Sequence, residues 1–360
     1  MARRSHLDDI HRALGATLQD EAGWTLPVRY GDPIQEHRAV REGAGLLDLA
    51  FRTIIRMTGG DRIRFLNGML TNDVARLQAG QGCYACLLNP QGKVLADAEV
   101  YALADSHRLE LDGRCTERVL DHLNKYIIAD DVTVQVMEDH ALLALQGPKA
   151  SSLLRRVLPS ATLPEAEYHA IESTMDGLPC LVIRASMTGE EGYKLALAAV
   201  GARTLWTTLS DAGATPVGMA ALDTLRLEAG IPVFGVDFTD GNFPQEAGIE
   251  ERAVSFTKGC YIGQEFVIRI AHRGHVNRRI TGLSLERQPI PRPGDRILHE
   301  DKEAGRITSA ALSPTLGKIV ALGMLRREVH EPGTLVQVET QDGLINAAVT
   351  PLPFYLRQRA

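Results

Sequence analysis

Apolar residues recur along this chain in short blocks whose spacing switches between helical and alternating. Leu7, Ile10, Leu14 and Leu18 fall at helical intervals and predict an amphipathic opening helix. A helix is also predicted from about Gln35 to Glu42, and a strand over Thr53–Met57. Gly59-Gly60-Asp61 then turns the chain, with Asp61 placed to cap a helix through Phe65, Leu66 and Met69. Residues 83–89 and 93–104 read as a hairpin around Asn89-Pro90-Gln91-Gly92, a strong turn signal. A strand over Arg108–Leu111, a helix over Thr116–Ile127 and a strand over Val132–Val136 follow. The type of pattern then repeats: strand Ala141–Leu145, helix Lys149–Leu158, strand Cys180–Ala185 and a helix around Ala202–Ala212. Hairpins mixed with helices predict an α+β layer architecture rather than a doubly wound sheet. Beyond Arg279 the pattern becomes short β-like runs between Pro/Gly turns such as Pro291-Arg292-Pro293-Gly294 and Pro332-Gly333. This predicts a domain boundary near residue 278 and a small β-barrel or sandwich after it.

Composition narrows the function classes. At 360 residues the chain is too long for one small core. A formal charge of -6 argues against a dedicated nucleic-acid binder, because neutralising phosphates needs a basic surplus. No apolar run approaches a membrane span, and the N-terminus lacks the apolar core of a secretory signal, so a cytoplasmic protein is expected. Five cysteines, at positions 83, 86, 115, 180 and 260, do not suggest a disulfide framework. Cys83 and Cys86 form a CxxC on a predicted strand, where residues three apart face opposite ways, so a shared metal is not expected.

One stretch concentrates chemistry. In Lys258-Gly259-Cys260-Tyr261-Ile262-Gly263-Gln264-Glu265, followed by Arg269, a thiol lies two positions from an ammonium group and between two glycines. A nearby cation favours the thiolate, the form that attacks electrophiles or binds soft metals. The bland alternative is an inert cysteine, since free cysteines are commonly buried. One cysteine cannot hold an iron–sulfur cluster, so no stably bound metal is expected.

Several motifs in order identify the chain as a member of the superfamily of the glycine-cleavage T-protein (aminomethyltransferase) and the YgfZ folate-binding proteins. Gly23-Trp24, Pro27-Val28-Arg29-Tyr30, Glu36-His37 and Val40-Arg41 resemble the start of a T-protein. Leu70-Thr71-Asn72-Asp73-Val74, Leu145-Gln146-Gly147-Pro148, Thr188-Gly189-Glu190-Glu191-Gly192-Tyr193 and Leu225-Arg226-Leu227-Glu228-Ala229-Gly230 continue the likeness, and Ser313-Pro314-Thr315-Leu316-Gly317-Lys318 fits the C-terminal domain. The octapeptide at 258–265, with Arg269, resembles the YgfZ branch. The resemblance implies a three-domain cloverleaf around a folate channel. Residues 1–50 with 140–277 would form one α+β domain interlocked with a second over 51–139, and 278–360 would form a β-barrel.

It also implies tetrahydrofolate or a related folate as ligand. Asp97 matches the carboxylate beside the reactive folate nitrogens, although the neighbouring aspartate of the family motif is Ala96 here. Tyr84 lies where the family has a folate-contacting tyrosine, and Glu190, Arg226 and Lys258 are further candidate folate contacts, Arg226 equally a structural ion pair. Two pterin-recognition positions differ: a glutamate is replaced by Lys194 and an arginine by Leu222. An ammonium has no acceptor and cannot take paired N–H groups. The main expectation is a monomeric folate-binding accessory protein for iron–sulfur protein assembly or repair, with tRNA modification a further role in that branch. In it Cys260 would be the essential thiol, Lys258 its electrostatic partner, and Gly259, Tyr261, Gly263, Gln264, Glu265 and Arg269 the supporting loop, with iron–sulfur client proteins as partners. The alternative is a tetrahydrofolate-dependent aminomethyltransferase, other one-carbon transferase or demethylase, with Asp97 as the catalytic carboxylate.

Overall fold

The hairpin predicted around Asn89–Gly92 organises the first sheet. In the computed structural model, which describes residues 2–21, 23–159, 161–286 and 289–357, strands Gly82–Leu88 and Val94–Ala102 pair antiparallel. Cys86 stands opposite Asp97 and Tyr84 opposite Glu99. Asn89 closes the turn, its side-chain oxygen accepting from the backbone N–H groups of Gln91 and Lys93 at 3.0 and 2.9 Å. His107–Asp112, Arg52–Thr58 and Thr133–Val136 extend the hairpin into a five-stranded sheet. Helices Arg62–Met69 and Thr116–Tyr126 bury Phe65, Leu66, Met69, Val119 and Leu123 in the core of this sheet.

A six-stranded sheet runs Ala170–Met175, Leu178–Arg184, Gly192–Ala198, His140–Gln146, Gly45–Asp48 and Thr215–Pro216. Its inner strands are largely apolar on both faces because both are covered. On one side Leu143, Val182 and Leu195 pack with Leu153, Leu154, Leu205 and Trp206 of helices Ala150–Val157 and Ala202–Asp211. On the other, Leu142, Ala144 and Ile183 meet Val40, Leu222 and Leu225 together with Ile54 and Tyr101 of the first sheet. The two sheets therefore share a core, and the helix Met219–Glu228 lies against their junction.

The C-terminal strands, Arg278–Leu285 to Gly343–Thr350, close into a six-stranded barrel, as the β-like runs after residue 278 suggested. Leu283, Ile297, Val338 and Ile345 fill it. No helix among the described residues is long and apolar enough to cross a membrane.

Three local expectations are corrected. The opening helix spans only Asp8–Ala13, because Gly15 adopts φ +76° and Leu18 then enters the strand Thr17–Glu21. Asp61 occupies the N-cap position of helix Arg62–Met69 but makes no side-chain capping bond; its carboxylate accepts instead from the backbone N–H of Asp131 at 2.9 Å, tying two loops together. Residues 264–273, which carry the polar end of the octapeptide, form a helix, Gln264–Arg273.

Candidate functional site

Alternation along strand Val94–Ala102 builds the site. Val94, Ala96, Ala98 and Val100 point into the core, so Asp97 and Glu99 share the opposite face. Both line a cavity of about 330 Å³ at the junction of the two sheets, the helix Met219–Glu228 and the loop 231–236. Ala96 is fully buried on the core side. An aspartate there would not reach the cavity, so its replacement leaves the site's carboxylate, Asp97, in place.

Tyr84, diagonal to Asp97 across the hairpin, donates its hydroxyl to Asp97 Oδ2 at 2.7 Å. Burial, together with the adjacent Asp97 charge, pushes the Tyr84 phenol well above its ordinary range, so it remains a donor. Asp97 Oδ1 accepts no hydrogen bond among the described residues. The rings of Tyr84 and Tyr168 stack at 6.4 Å with an 18° interplanar angle, and the Arg252 guanidinium lies 4.7 Å from the Tyr84 ring centroid. Leu26, Phe51, Met187, Met219, Leu222, Val233 and Phe234 supply apolar wall.

Lys194, which the sequence marks as a departure from the family pattern, is buried beneath this face. Its ammonium donates to Glu99 Oε1 at 2.8 Å and Glu110 Oε1 at 2.6 Å. Arg52 adds a bond to Glu110 at 3.0 Å, and the Tyr101 hydroxyl lies 2.6 Å from Glu99 Oε2 and 2.8 Å from Glu110 Oε2. Burial raises the Glu110 carboxyl, but the Lys194 and Arg52 charges outweigh it and hold the group at about 2. Two carboxylates are thus balanced by two cations, and Glu99 is held at the cavity wall.

The octapeptide lies elsewhere. Cys260 is exposed and does not line the cavity. The Lys258 ammonium turns inward, donating to the carbonyls of Asn67, Leu70 and Asn72 at 2.6, 2.7 and 2.7 Å. The first two are carbonyls left over where helix Arg62–Met69 ends, and that of Asn72, just beyond it, also accepts from the Val74 N–H at 3.1 Å. Burial lowers Lys258 to about 8 against the pull of the Asp73 carboxylate and the Cys83 sulfur. Tyr261 is buried in the core of the first sheet, and the Gln264 side chain accepts from the Tyr261 N–H at 3.3 Å. Gly259 has open space around it. Gly263 does not: at φ +79° it sits where a Cβ would lie 2.5 Å from the Asn89 carbonyl oxygen, pressed against the hairpin turn. Glu265 and Arg269 pair at the surface. The stretch clasps the hairpin that carries Asp97.

Of the remaining sequence candidates, Glu190 is buried away from the cavity, paired with Arg41 at 2.9 Å and Arg357 at 2.8 Å. Arg226 lines the cavity but is held by Asp237 at 2.6 Å and by Ser309 of the barrel at 2.8 Å. Sequence reasoning missed Glu99, Tyr168 and Arg252. Alternation counted on from Asp97 would have found Glu99; nothing local marks the other two.

The GCVT N-terminal domain model matches residues 7–258, and the glycine cleavage T-protein C-terminal barrel domain model matches residues 278–355. A protein of Rubrobacter xylanophilus named aminomethyltransferase is 36% identical, covering 99% of this chain and 95% of its own. One of Cutibacterium acnes with the same name is 37% identical over 99% of each. The crystal structure of the glycine cleavage system aminomethyltransferase T from Bartonella henselae superposes with a TM-score of 0.92 at 28% identity, covering 99% of this chain and 98% of that one. These likenesses overturn the main expectation of an iron–sulfur accessory protein, because the relatives that match from end to end are aminomethyltransferases by name. The octapeptide, on which that expectation rested, is a short segment outside the cavity. The chain belongs to the glycine cleavage T-protein family.

Proposed function

We propose that this protein is a tetrahydrofolate-dependent one-carbon transferase of the aminomethyltransferase type. The observation that carries the reading is Asp97: a carboxylate on a rigid strand, facing a partly apolar cavity, with one oxygen held by Tyr84 and the other open. Relatives named aminomethyltransferase support it. Tetrahydrofolate, when bound, supplies the ring-side amine nitrogens that carry one-carbon units. The residues present fit such a ligand. Tyr84, Tyr168, Phe234, Met187 and Met219 offer flat and apolar surface for a pterin, and Glu99 offers acceptor oxygens for its N–H edge. Lys194 cannot accept those N–H groups, but it orients Glu99, which can.

In this reading Asp97 holds or accepts a proton at an amine within hydrogen-bond reach, and its charge favours a cationic centre there. Tyr84 fixes which oxygen is free. Purified protein should form methylene-tetrahydrofolate from an aminomethylated lipoyl carrier or a comparable one-carbon donor. Asp97→Asn should lower kcat by about 10²–10⁴-fold while tetrahydrofolate still binds. Wild-type protein that neither binds tetrahydrofolate nor transfers a one-carbon unit would refute the proposal.

A further inference from the structure

Among the described residues, the cavity holds one cation with no counter-charge bound to it. Arg52 and Lys194 are bonded to Glu110, Arg226 to Asp237, and Arg114 to Asp112. Arg252 differs: among the described residues its guanidinium makes no hydrogen bond and no ion pair. Its backbone is not loose. It belongs to the short helix Glu250–Ala253, where the Arg252 carbonyl accepts from Asn72 Nδ2 at 3.0 Å and the Ala253 carbonyl from Thr71 Oγ1 at 2.6 Å. The side chain is exposed where it lines the cavity and rests on the Tyr84 ring.

A guanidinium stacked on an aromatic face keeps its in-plane N–H fork free, the geometry that takes a carboxylate by two parallel bonds. One tyrosine side chain sets the distance to the reacting carboxylate. Arg252 lies 4.7 Å from the Tyr84 ring centroid, and Asp97 accepts from the hydroxyl of that ring at 2.7 Å. A cation and an anion separated by one phenol ring match the opposite charges of a short amino acid. Its amine would meet Asp97 and its carboxylate Arg252.

We propose that Arg252 is a carboxylate anchor, and that the second substrate of the site is a small amine bearing a carboxylate on the adjacent carbon. This rests on the one-carbon transferase reading and names the class of its amine partner. An aminomethyl group on a neutral carrier arm would leave the Arg252 guanidinium without a bonded anion, although the Asp97 and Glu99 charges lie near it.

The test compares wild type with Arg252→Met and Arg252→Lys by ligand-observed NMR titration, in folate-free and tetrahydrofolate-loaded protein. The probes are glycine and methylamine, the latter the same amine without a carboxylate. Wild type should bind glycine at least about tenfold more tightly than methylamine. Arg252→Met should abolish that preference, Arg252→Lys should keep part of it, and the tetrahydrofolate Kd should move by less than about twofold. Equal binding of glycine and methylamine by wild type, or an unchanged preference in Arg252→Met, overturns the proposal. So does an Arg252→Met variant that loses affinity for tetrahydrofolate but not for 6-methyltetrahydropterin, which would assign Arg252 to the folate tail. Failure of wild type to bind tetrahydrofolate would instead sink the transferase reading, and the folate-free titration would still decide what Arg252 holds.

Discussion

Replacing Lys194 with methionine removes the cation that sits between two carboxylates while keeping most of the side chain's volume. Glu99 and Glu110 stand directly opposite each other on neighbouring strands, so like charges would face each other across the sheet. Glu110 is fully buried and is held at about 2 because Lys194 and Arg52 outweigh its burial. Relative to the 4.5 of a free glutamate, that depression is worth about 3 kcal/mol of stability. Breaking a buried pair by removing one partner costs a similar 3–5 kcal/mol, roughly. The sign follows from the lowered value: the contribution is complete above about pH 4.5 and vanishes as pH falls through about 2. Urea unfolding followed by tryptophan fluorescence suits the test. Trp206 is buried in the helix that packs on the sheet containing Lys194, and the only other tryptophan is Trp24. Lys194→Met should lose about 3 kcal/mol at pH 7 and much less near pH 3, and adding Glu110→Gln should restore part of it. A loss below about 1 kcal/mol at pH 7, or an equal loss at pH 3, would refute the account of this network.

Cys260→Ser should keep one-carbon transfer within about twofold of wild type, since the thiol lies outside the cavity; a loss beyond tenfold would return the octapeptide to the chemistry. Gly263→Ala should destabilise the fold by at least about 1–3 kcal/mol, because an L residue at φ +79° would also drive its Cβ against the Asn89 carbonyl, and thermal melts measure it. Lys258→Met should lower Tm at every pH by removing the ammonium donor to the Asn67, Leu70 and Asn72 carbonyls, of which, among the described residues, only Asn72 keeps a backbone donor, Val74. Lys258 also binds its proton less tightly when folded, at about 8 against 10.5, so wild type gains stability from this group as pH rises from 8 toward 10. The Tm gap between wild type and variant should therefore widen over that range, and a narrowing gap would contradict the burial argument.

Local pattern was enough for much of this molecule. The Asn89–Gly92 turn and the strands on either side of it were readable because turn chemistry and period-2 alternation act between near neighbours. The family motifs spread along the chain pointed to the superfamily, and Asp97 with Tyr84 marked a hairpin that lines the cavity. The octapeptide showed the limit of such reading. Proximity in sequence placed Lys258 beside Cys260, yet the ammonium is drawn to the carbonyl oxygens at the end of a distant helix, and the thiol stays at the surface. Lys194 illustrates the same point from the other side. Read alone, it removed an acceptor from the site, whereas the fold brings Glu99 to it from a strand 95 positions away. Arg252 gave no local signal, and only the meeting of its short helix with the hairpin sets it on Tyr84, 168 positions earlier in the chain. Sequence by itself determined most of the segments that form helices and strands and the superfamily they belong to, though not the branch, because those follow from short-range sterics and recurring motifs. Which charges neutralise one another, and which one is left open to a ligand, was decided by tertiary packing, because burial and distance between remote segments set the electrostatics.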